Sequence, residues 1–404
     1  MEGVSVIMTR GDALNQLQAF VSHMPDYAVK RGSVAPGHVH VSRLSAAIRY
    51  RLITEDEVAK VALDEHDFST VEKFVQEVYW RLYWKSWLEL RPQVWSAYHS
   101  DFVGFGSGAH QETEKVLGGN SGIEIFDYFA DELITTGYLH NHSRMWFASM
   151  WIHEFKLPWQ LGAEFFHQYL LDGDSASNTL SWRWVAGLHT TGKNYLARAA
   201  NIEKYVASEI LKPHRGGLDR LRDPKAASVS AREVATPLNM VQNRSLQGTP
   251  VDFASTGLWV HPDDLSPESA LLKSCTRIVV VVPDDVHDRY KYSRTKREWI
   301  AKASMTTAER LGNTAEVVHA DDTAVALLDW ARSHKLESIV AYQPWVGPLQ
   351  EALPNIETQL VDGGVKLHLL TKSSDRVWLP LATGGFFGFW KKLQKRHPLL
   401  RGRT

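Results

Sequence analysis

A single cysteine, Cys275, stands in 404 residues. That count excludes disulfides, a four-cysteine iron–sulfur cluster and a cysteine-based zinc site, and it fits a reducing compartment best. No apolar run reaches the roughly 20 residues of a membrane span. Residues 1–20, MEGVSVIMTRGDALNQLQAF, lack a secretory apolar core and cleavage site. A cytoplasmic protein with no membrane partner is therefore expected, and a monomer. An excess of charge is missing too: 45 Lys and Arg stand against 46 Asp and Glu, so any nucleic-acid surface has to come from local patches. No strand-like run leads into G-x-G-x-x-G or a P-loop, which removes the standard dinucleotide and nucleoside-triphosphate fingerprints. His140 and His142, two apart, point to different sides of a helix, so no metal site is expected from them.

What the chain has in abundance is tryptophan, 15 residues. Indoles either fill a core or mark stacking surfaces and chromophore contacts, and composition leaves both open.

Residues 10–205 repeat apolar positions at three and four, as in RLSAAIRYRLITEDEVAKVAL and STVEKFVQEVYWRLYWKSWLEL, which predicts a mainly helical domain over 1–205. Residues 206–256 mix Pro, Gly and charge without sustained period and read as a linker or crossing segment. Beyond it, TGLWVH, TRIVVVVP, AEVVHA, ESIVAY and VKLHLL are short β-branched runs, most of them separated by helical stretches. That alternation predicts a Rossmann-like five-stranded parallel α/β domain over 257–372. Residues 373–404 form an aromatic and basic tail ending in WKKLQKRHPLLRGRT, either a solvated end or a contact for phosphates. The expected architecture is thus α plus α/β in two domains.

Four short stretches of the helical half carry unusual residues for a core. In DGDSASNTLSWRW (172–184), Asp174, Asn178 and Trp182 fall at i, i+4 and i+8, one stripe of a helix. Either an Asp caps the helix and the indoles are core, or carboxylate, amide and indole meet a flat heteroaromatic ligand. In ELITTGYLHNHSRMWFAS, Asn141 and Met145 share a face, and Arg144 can reach a buried anion. VSRLSAAIRYRLI puts Ser42 and Ser45 at a helix start, where free N–H groups and the dipole favour phosphate. QEVYWRLYW sets Glu77, Trp80, Arg81 and Trp84 within two turns, and a buried Glu beside Trp needs a partner or a purpose.

These pieces, in this order, resemble the DNA photolyase and cryptochrome family over residues 27–190. The family's serine-rich loop is similar to Val41-Ser42-Arg43-Leu44-Ser45, with Tyr27 matching its upstream aromatic. Its E-x-x-W-R is met by Glu77, Trp80 and Arg81, and its G-W-M-H-N-x-x-R-M resembles Gly137-Tyr138-Leu139-His140-Asn141-His142-Ser143-Arg144-Met145. Its D-G-D-x-A-x-N-x-x-x-W-x-W is met by Asp172, Gly173, Asp174, Ala176, Asn178, Trp182 and Trp184.

The resemblance implies a noncovalent FAD. Tyr27, Ser42, Arg43, Leu44, Ser45, Arg81 and Asn141 would surround it, Asp174 would hold its ring with Asn178 near N5, and Arg144 would pair with Asp172. It implies repair of cyclobutane pyrimidine dimers in DNA by an electron from light-excited reduced flavin. In that scheme Glu77 contacts the dimer, Trp80, Met145 and Trp184 line its pocket, and Trp182 and Trp159 begin an electron wire with Trp95 as third candidate. Asn141 and Met145 are the family's dimer-repair residues at their positions, and Asn178 favours repair over the alternative, a cryptochrome-like blue-light sensor. Three departures stand out. The α/β half follows the helical half instead of preceding it, which suggests a reversed domain order, and a second, antenna chromophore there is left unidentified. The segment after Trp184 lacks the family's usual DNA-binding arginine, for which Lys193 and Arg198 are the candidate substitutes. His142 stands where a DNA-contacting Arg is frequent.

Overall fold

The computed structural model describes residues 7–189, 194–229, 244, 251–312 and 314–403. Among them no helix is long and apolar enough to cross a membrane. The helical half is organised around one long helix, Phe68–Glu89. Its buried residues Val71, Phe74, Val75, Val78, Tyr79 and Leu82 recur at three and four, so one stripe is committed to the core. Helices Trp159–Tyr169 and Ser175–Val185 pack on each other and form the floor of the candidate site. Between and around them a continuous apolar core contains Phe126, Phe129, Trp146, Phe147, Trp151 and Trp182, so many of the 15 tryptophans are core.

The five β-branched runs are the five strands: β1 Thr256–Val260, β2 Ile278–Pro283, β3 Ala315–Ala320, β4 Ser338–Tyr342 and β5 Lys366–Leu370. They pair in parallel in the order β3-β2-β1-β4-β5. The three central strands are buried along their whole length, which is why IVVVV reads as an unbroken apolar run, while the edge strands β3 and β5 expose part of theirs. Helix Ser269–Ser274 lies in the connection from β1 to β2, and helices Arg294–Leu311, Thr323–Ser333 and Pro348–Asp362 lie in the three that follow. Asp322 starts helix Thr323–Ser333 by accepting from the backbone N–H groups of Ala324 and Val325 at 3.0 and 3.1 Å.

Strand order reverses between β1 and β4, and the loops that leave those two strands, His261–Asp264 and Gln343–Gly347, meet the helical half. Arg49 pairs there with Asp263 at 2.9 Å. Arg51, with a backbone φ of 55°, binds Asp264 and Asp375, both at 2.6 Å, and Lys372 binds Asp264 at 2.9 Å. Farther along, Lys296 enters the helical half with no exposure and donates to the carbonyls of His167 at 2.5 Å and Gly173 at 3.3 Å. Burial and the neighbouring Arg49 push its ammonium down to about 7.

Two stretches placed outside the sheet by the sequence also have defined seats. In the 206–256 segment, helix Ser208–Leu211 and turns at Lys212–His214 and Leu218–Leu221 pack on the helical half, where the Gly216 carbonyl accepts from the Glu124 N–H at 2.9 Å. Residues 230–243 and 245–250 of that segment lie outside the described residues. In the 373–404 tail, helix Phe386–Arg396 lies along Phe68–Glu89 and buries Phe386, Phe389, Trp390 and Leu393.

Candidate functional site

The site is built on the turn between helices Trp159–Tyr169 and Ser175–Val185. Asp174 is the N-cap of the second helix: its Oδ1 accepts from the N–H groups of Ala176 and Ser177 at 3.0 and 2.8 Å. Capping is only half of its work, because Arg81 of the long helix ion-pairs with the other oxygen. Arg81 also reaches Asp172 at 3.0 Å, and Arg144 grips both oxygens of Asp172 at 3.0 and 3.1 Å. Ser45 hydrogen-bonds the same carboxylate. Two buried carboxylates are thus neutralised by two guanidinium groups, and the pairing of Arg144 with Asp172 implied by the resemblance is present. Asp174 is a cap and does not lie on the helical stripe that its i, i+4 spacing to Asn178 suggested, because its extended backbone precedes the first helical residue.

Burial opposes the charge on Asp174, yet Arg81, Lys85 and Arg49 outweigh it and bring its carboxyl down to about 2 from the ordinary 3.8. Asp172 is lowered too, with Arg144 and Arg81 prevailing over burial. A folded-state pKa below the unfolded one stabilises fully above the unfolded value, and the stabilisation is lost as pH falls through the folded one. For Asp174 the difference is worth about 2 kcal/mol. The unfolding free energy of the wild type, followed by urea titration from pH about 5 to about 2, is therefore expected to fall more steeply than that of Asp174→Asn. Parallel curves would remove Asp174 from the ion cluster.

Asn178 is buried and donates its amide N–H to the Ala163 carbonyl at 2.7 Å, which holds it against helix Trp159–Tyr169. Trp182 lies over Gly162, where a Cβ would come within 2.3 Å of its ring; only glycine permits this approach. The rings around Trp182 are Phe166 at 5.1 Å, Trp151 at 6.1 Å and Phe147 at 6.5 Å. Trp159 stacks instead on Tyr98 at 5.4 Å, and Tyr98 meets Trp95 at 5.3 Å. Tyr98 thus stands between Trp159 and Trp95, and Trp151 adjoins Trp182; spacing along the chain gave no reason to single out either.

Glu77 pairs with Arg31 and Lys73, each at 2.9 Å. The face of Trp80 is covered by Phe386 of the tail helix, stacked at 3.8 Å with 9° between the rings. Trp184 packs on Tyr195 at 5.5 Å, and Asn141 and Met145 lie side by side with Nδ2 4.0 Å from Sδ. His142 stacks on Trp146 at 4.0 Å and contacts the Gly32 carbonyl. Arg198 is exposed, and Lys193 lies outside the described residues.

The serine loop corrects one expectation. Its helix, Ser45–Arg49, has five residues and is preceded by Leu44, which makes no side-chain cap, while Ser42 lies before it. A single turn carries little dipole, so a phosphate site there cannot rest on the helix start. Arg43 is the more telling residue: its φ is 58° and its guanidinium sits 5.5 Å from the Tyr138 ring. Arg144 lies on the same ring at 5.9 Å, and half-buried Tyr27 is close enough for Tyr138 to help raise its phenol pKa, after burial and Glu77. Tyr138, Lys85 and Arg49 are site residues that the sequence did not single out.

Whether this chain suits the flavin implied by the resemblance can be tested on its unpaired donors. Nε of Arg43, Nε and Nη1 of Arg49 and Nε1 of Trp182 are buried without a partner. Each such donor costs about 1–3 kcal/mol, which an anionic, acceptor-rich ligand would recover. The Asp172 and Asp174 carboxylates supply acceptors for ring N–H groups. The donor set therefore fits FAD. The cavity on the sheet side of Asp174, bounded by Arg49, Lys85, Glu89, Asp263 and Trp345, measures about 20 Å³ and takes one water, not a tricyclic ring. An open cavity of about 1140 Å³ lies against Trp159, between Ser100–Phe105, Ile152–Gln160 and Asp223–Val229, away from the acid pair.

Residues 74–209 match the family described as the FAD binding domain of DNA photolyase. A deoxyribodipyrimidine photo-lyase from Streptomyces griseus is 32% identical over 200 residues, 44% of this chain and 44% of that protein. A cryptochrome DASH from Idiomarina loihiensis is 35% identical over 91 residues, 22% of this chain and 20% of that one. The crystal structure of a class III photolyase from Agrobacterium tumefaciens superposes with a TM-score of 0.44 at 24% identity, covering 51% of this chain and 44% of that chain. The chain spans less than half the length of these relatives. The matched segment holds Arg81, Arg144, Asp172, Asp174 and Asn178, the residues from which the buried ion cluster and its adjoining amide are made, and over that segment the chain is similar to the DNA photolyase and cryptochrome family.

Proposed function

We propose that the protein repairs cyclobutane pyrimidine dimers in DNA, in light, with FAD as its cofactor. The observation that carries the reading is the cluster of Arg81 and Arg144 with Asp172 and Asp174, two cations against two buried carboxylates at the turn that leads into Asn178. Arg144 and Arg81 would stabilise an anionic ring, Asp174 would accept from it, and Arg43 would offer its free donor to a phosphate. When bound, reduced FAD would supply the light-released electron that opens the cyclobutane ring and then returns. Arg31 and Lys73 both pair with Oε1 of Glu77, so its Oε2 is the oxygen that would meet a dimer. The α/β half takes the part of the family's antenna domain, in reversed order.

One observation favours the second reading, a photoreceptor that binds FAD without repair: Phe386 occupies the face of Trp80 on which a flipped base would stack. The deciding experiment begins with acid release of flavin from purified protein, which is expected to yield FAD. Reduced protein is then lit with blue light on ultraviolet-treated single- and double-stranded oligonucleotides, and dimer loss is counted. Loss on either substrate is expected. Bound FAD with intact dimers would replace repair by sensing, and absence of FAD would sink both.

A further inference from the structure

The tail helix has an unusual surface. From Arg376 to Thr404 there are seven Lys or Arg and no Asp or Glu, in a chain whose net charge is −1. Lys391, Lys392, Lys395, Arg396, Arg401 and Arg403 are all exposed. Among the described residues, none of the six forms an ion pair with an acidic side chain, although Lys392 donates to Thr383 at 3.0 Å. Phe387 is 66% exposed in the first turn of the helix, and Lys391 and Lys395 follow it at four-residue intervals, so an aromatic ring and two ammonium groups share one solvent face. Glycines 384, 385 and 388 beside it have open space where a Cβ would stand, which leaves the backbone accessible.

This face is held in place. Tyr83 donates to the Gly384 carbonyl at 3.0 Å, Arg91 to that of Thr383 at 2.8 Å, Phe386 stacks on Trp80, and His397 meets Asp56 at 3.1 Å. A basic helix with aromatic residues can also be a membrane-surface helix, but that use needs its apolar stripe free. Here Phe386, Phe389, Trp390 and Leu393 are buried against the helical half, and Phe387 alone of the stripe's large residues faces solvent. A fixed row of cations led by one exposed ring is the arrangement that tracks a phosphodiester backbone and stacks a base.

We propose that the exposed face of helix Phe386–Arg396 binds single-stranded DNA, with Phe387 stacking on a base and Lys391, Lys395 and Arg396 on successive phosphates. It deepens the nucleic-acid side of the function proposed above and needs neither flavin nor light. The test is anisotropy of a fluorescein-labelled, undamaged oligothymidine in the dark, over a range of salt. The variant F387A/K391Q/K395Q/R396Q is expected to bind at least about tenfold more weakly and to lose about 2 from the log–log salt slope, three charges at about 0.7 each. K391R/K395R should bind like the wild type, and so should K302Q/R332Q/K335Q, which removes three exposed cations from the α/β half. Equal binding by the quadruple variant, or equal weakening by the α/β triple variant, overturns the proposal. So does helix-dependent binding to phosphatidylserine vesicles in place of oligothymidine. Dark binding that fails while blue light still removes dimers sinks this inference and leaves repair standing; dark binding without repair does the reverse.

Discussion

Arg51→Leu is expected to cost about 3–5 kcal/mol of unfolding free energy, the range for breaking a buried ion pair from one side. Arg51 is 3% exposed and is the only cation within hydrogen-bonding reach of Asp375 among the described residues, while Asp264 keeps Lys372 when it goes. The substitution leaves Asp375 charged or forces a proton onto it, and either consequence penalises the docked state of the two halves. Its ring partner, Trp345 at 5.1 Å, loses a cation as well. Urea unfolding at neutral pH reads the loss directly. The double variant R51L/D375L removes both members of the pair and is expected to recover most of it, since a desolvated pair is seldom worth more than apolar groups of its size. A single variant within about 1 kcal/mol of wild type would mean that water already reaches the cluster.

Asp172→Asn is expected to lower both stability and flavin occupancy. The amide keeps the shape of the carboxylate but strips the charge that Arg144 and Arg81 share, leaving one carboxylate, Asp174, for two guanidinium groups. Arg144 is the side chain set free, and with part of its surface exposed the cost should stay near 2–3 kcal/mol, about that of a charged hydrogen bond lost. Flavin occupancy, which on the proposed reading depends on a rigid Arg144, is expected to fall at least about tenfold, equivalent to about 1.4 kcal/mol. The readouts are bound FAD per protein and the urea midpoint. Full occupancy in the variant would detach the ion cluster from the cofactor.

The strands were legible because a buried parallel sheet writes itself as unbroken β-branched runs: IVVVV cannot be amphipathic at any period. The site motif was legible because Asp172, Arg144 and Arg81 carry charge into a core that tolerates it only in pairs, and a match in fixed spacing identifies the pair. Lys296, Arg49 and Lys85 were not legible. Each is a lone cation on a helix until a segment far away in the chain brings a carbonyl, a carboxylate or Trp345 to it, and no periodicity reports that meeting. The same holds for Trp151 and Tyr98, whose place beside Trp182 and Trp159 is set by how helices cross. Ser45 does open a helix, as its type suggested, but that helix is one turn long, a length that residue type does not report.

The contact of Trp80 with Phe386 ties the order of synthesis to the order of folding. Tyr83 and the carbonyl it binds are 301 positions apart, so the long helix leaves the ribosome well before the residues that cover it. At about 5–20 residues per second the interval is about 15–60 s, far longer than helix formation or collapse. Throughout it, Trp80 and Tyr79 stand bare on a nascent chain, a surface that a chaperone can hold or a neighbouring chain can seize. Yield in the cell is thus governed by how long the ribosome takes to deliver the covering helix, and slowing translation between the two halves should deplete soluble protein without altering any residue of it.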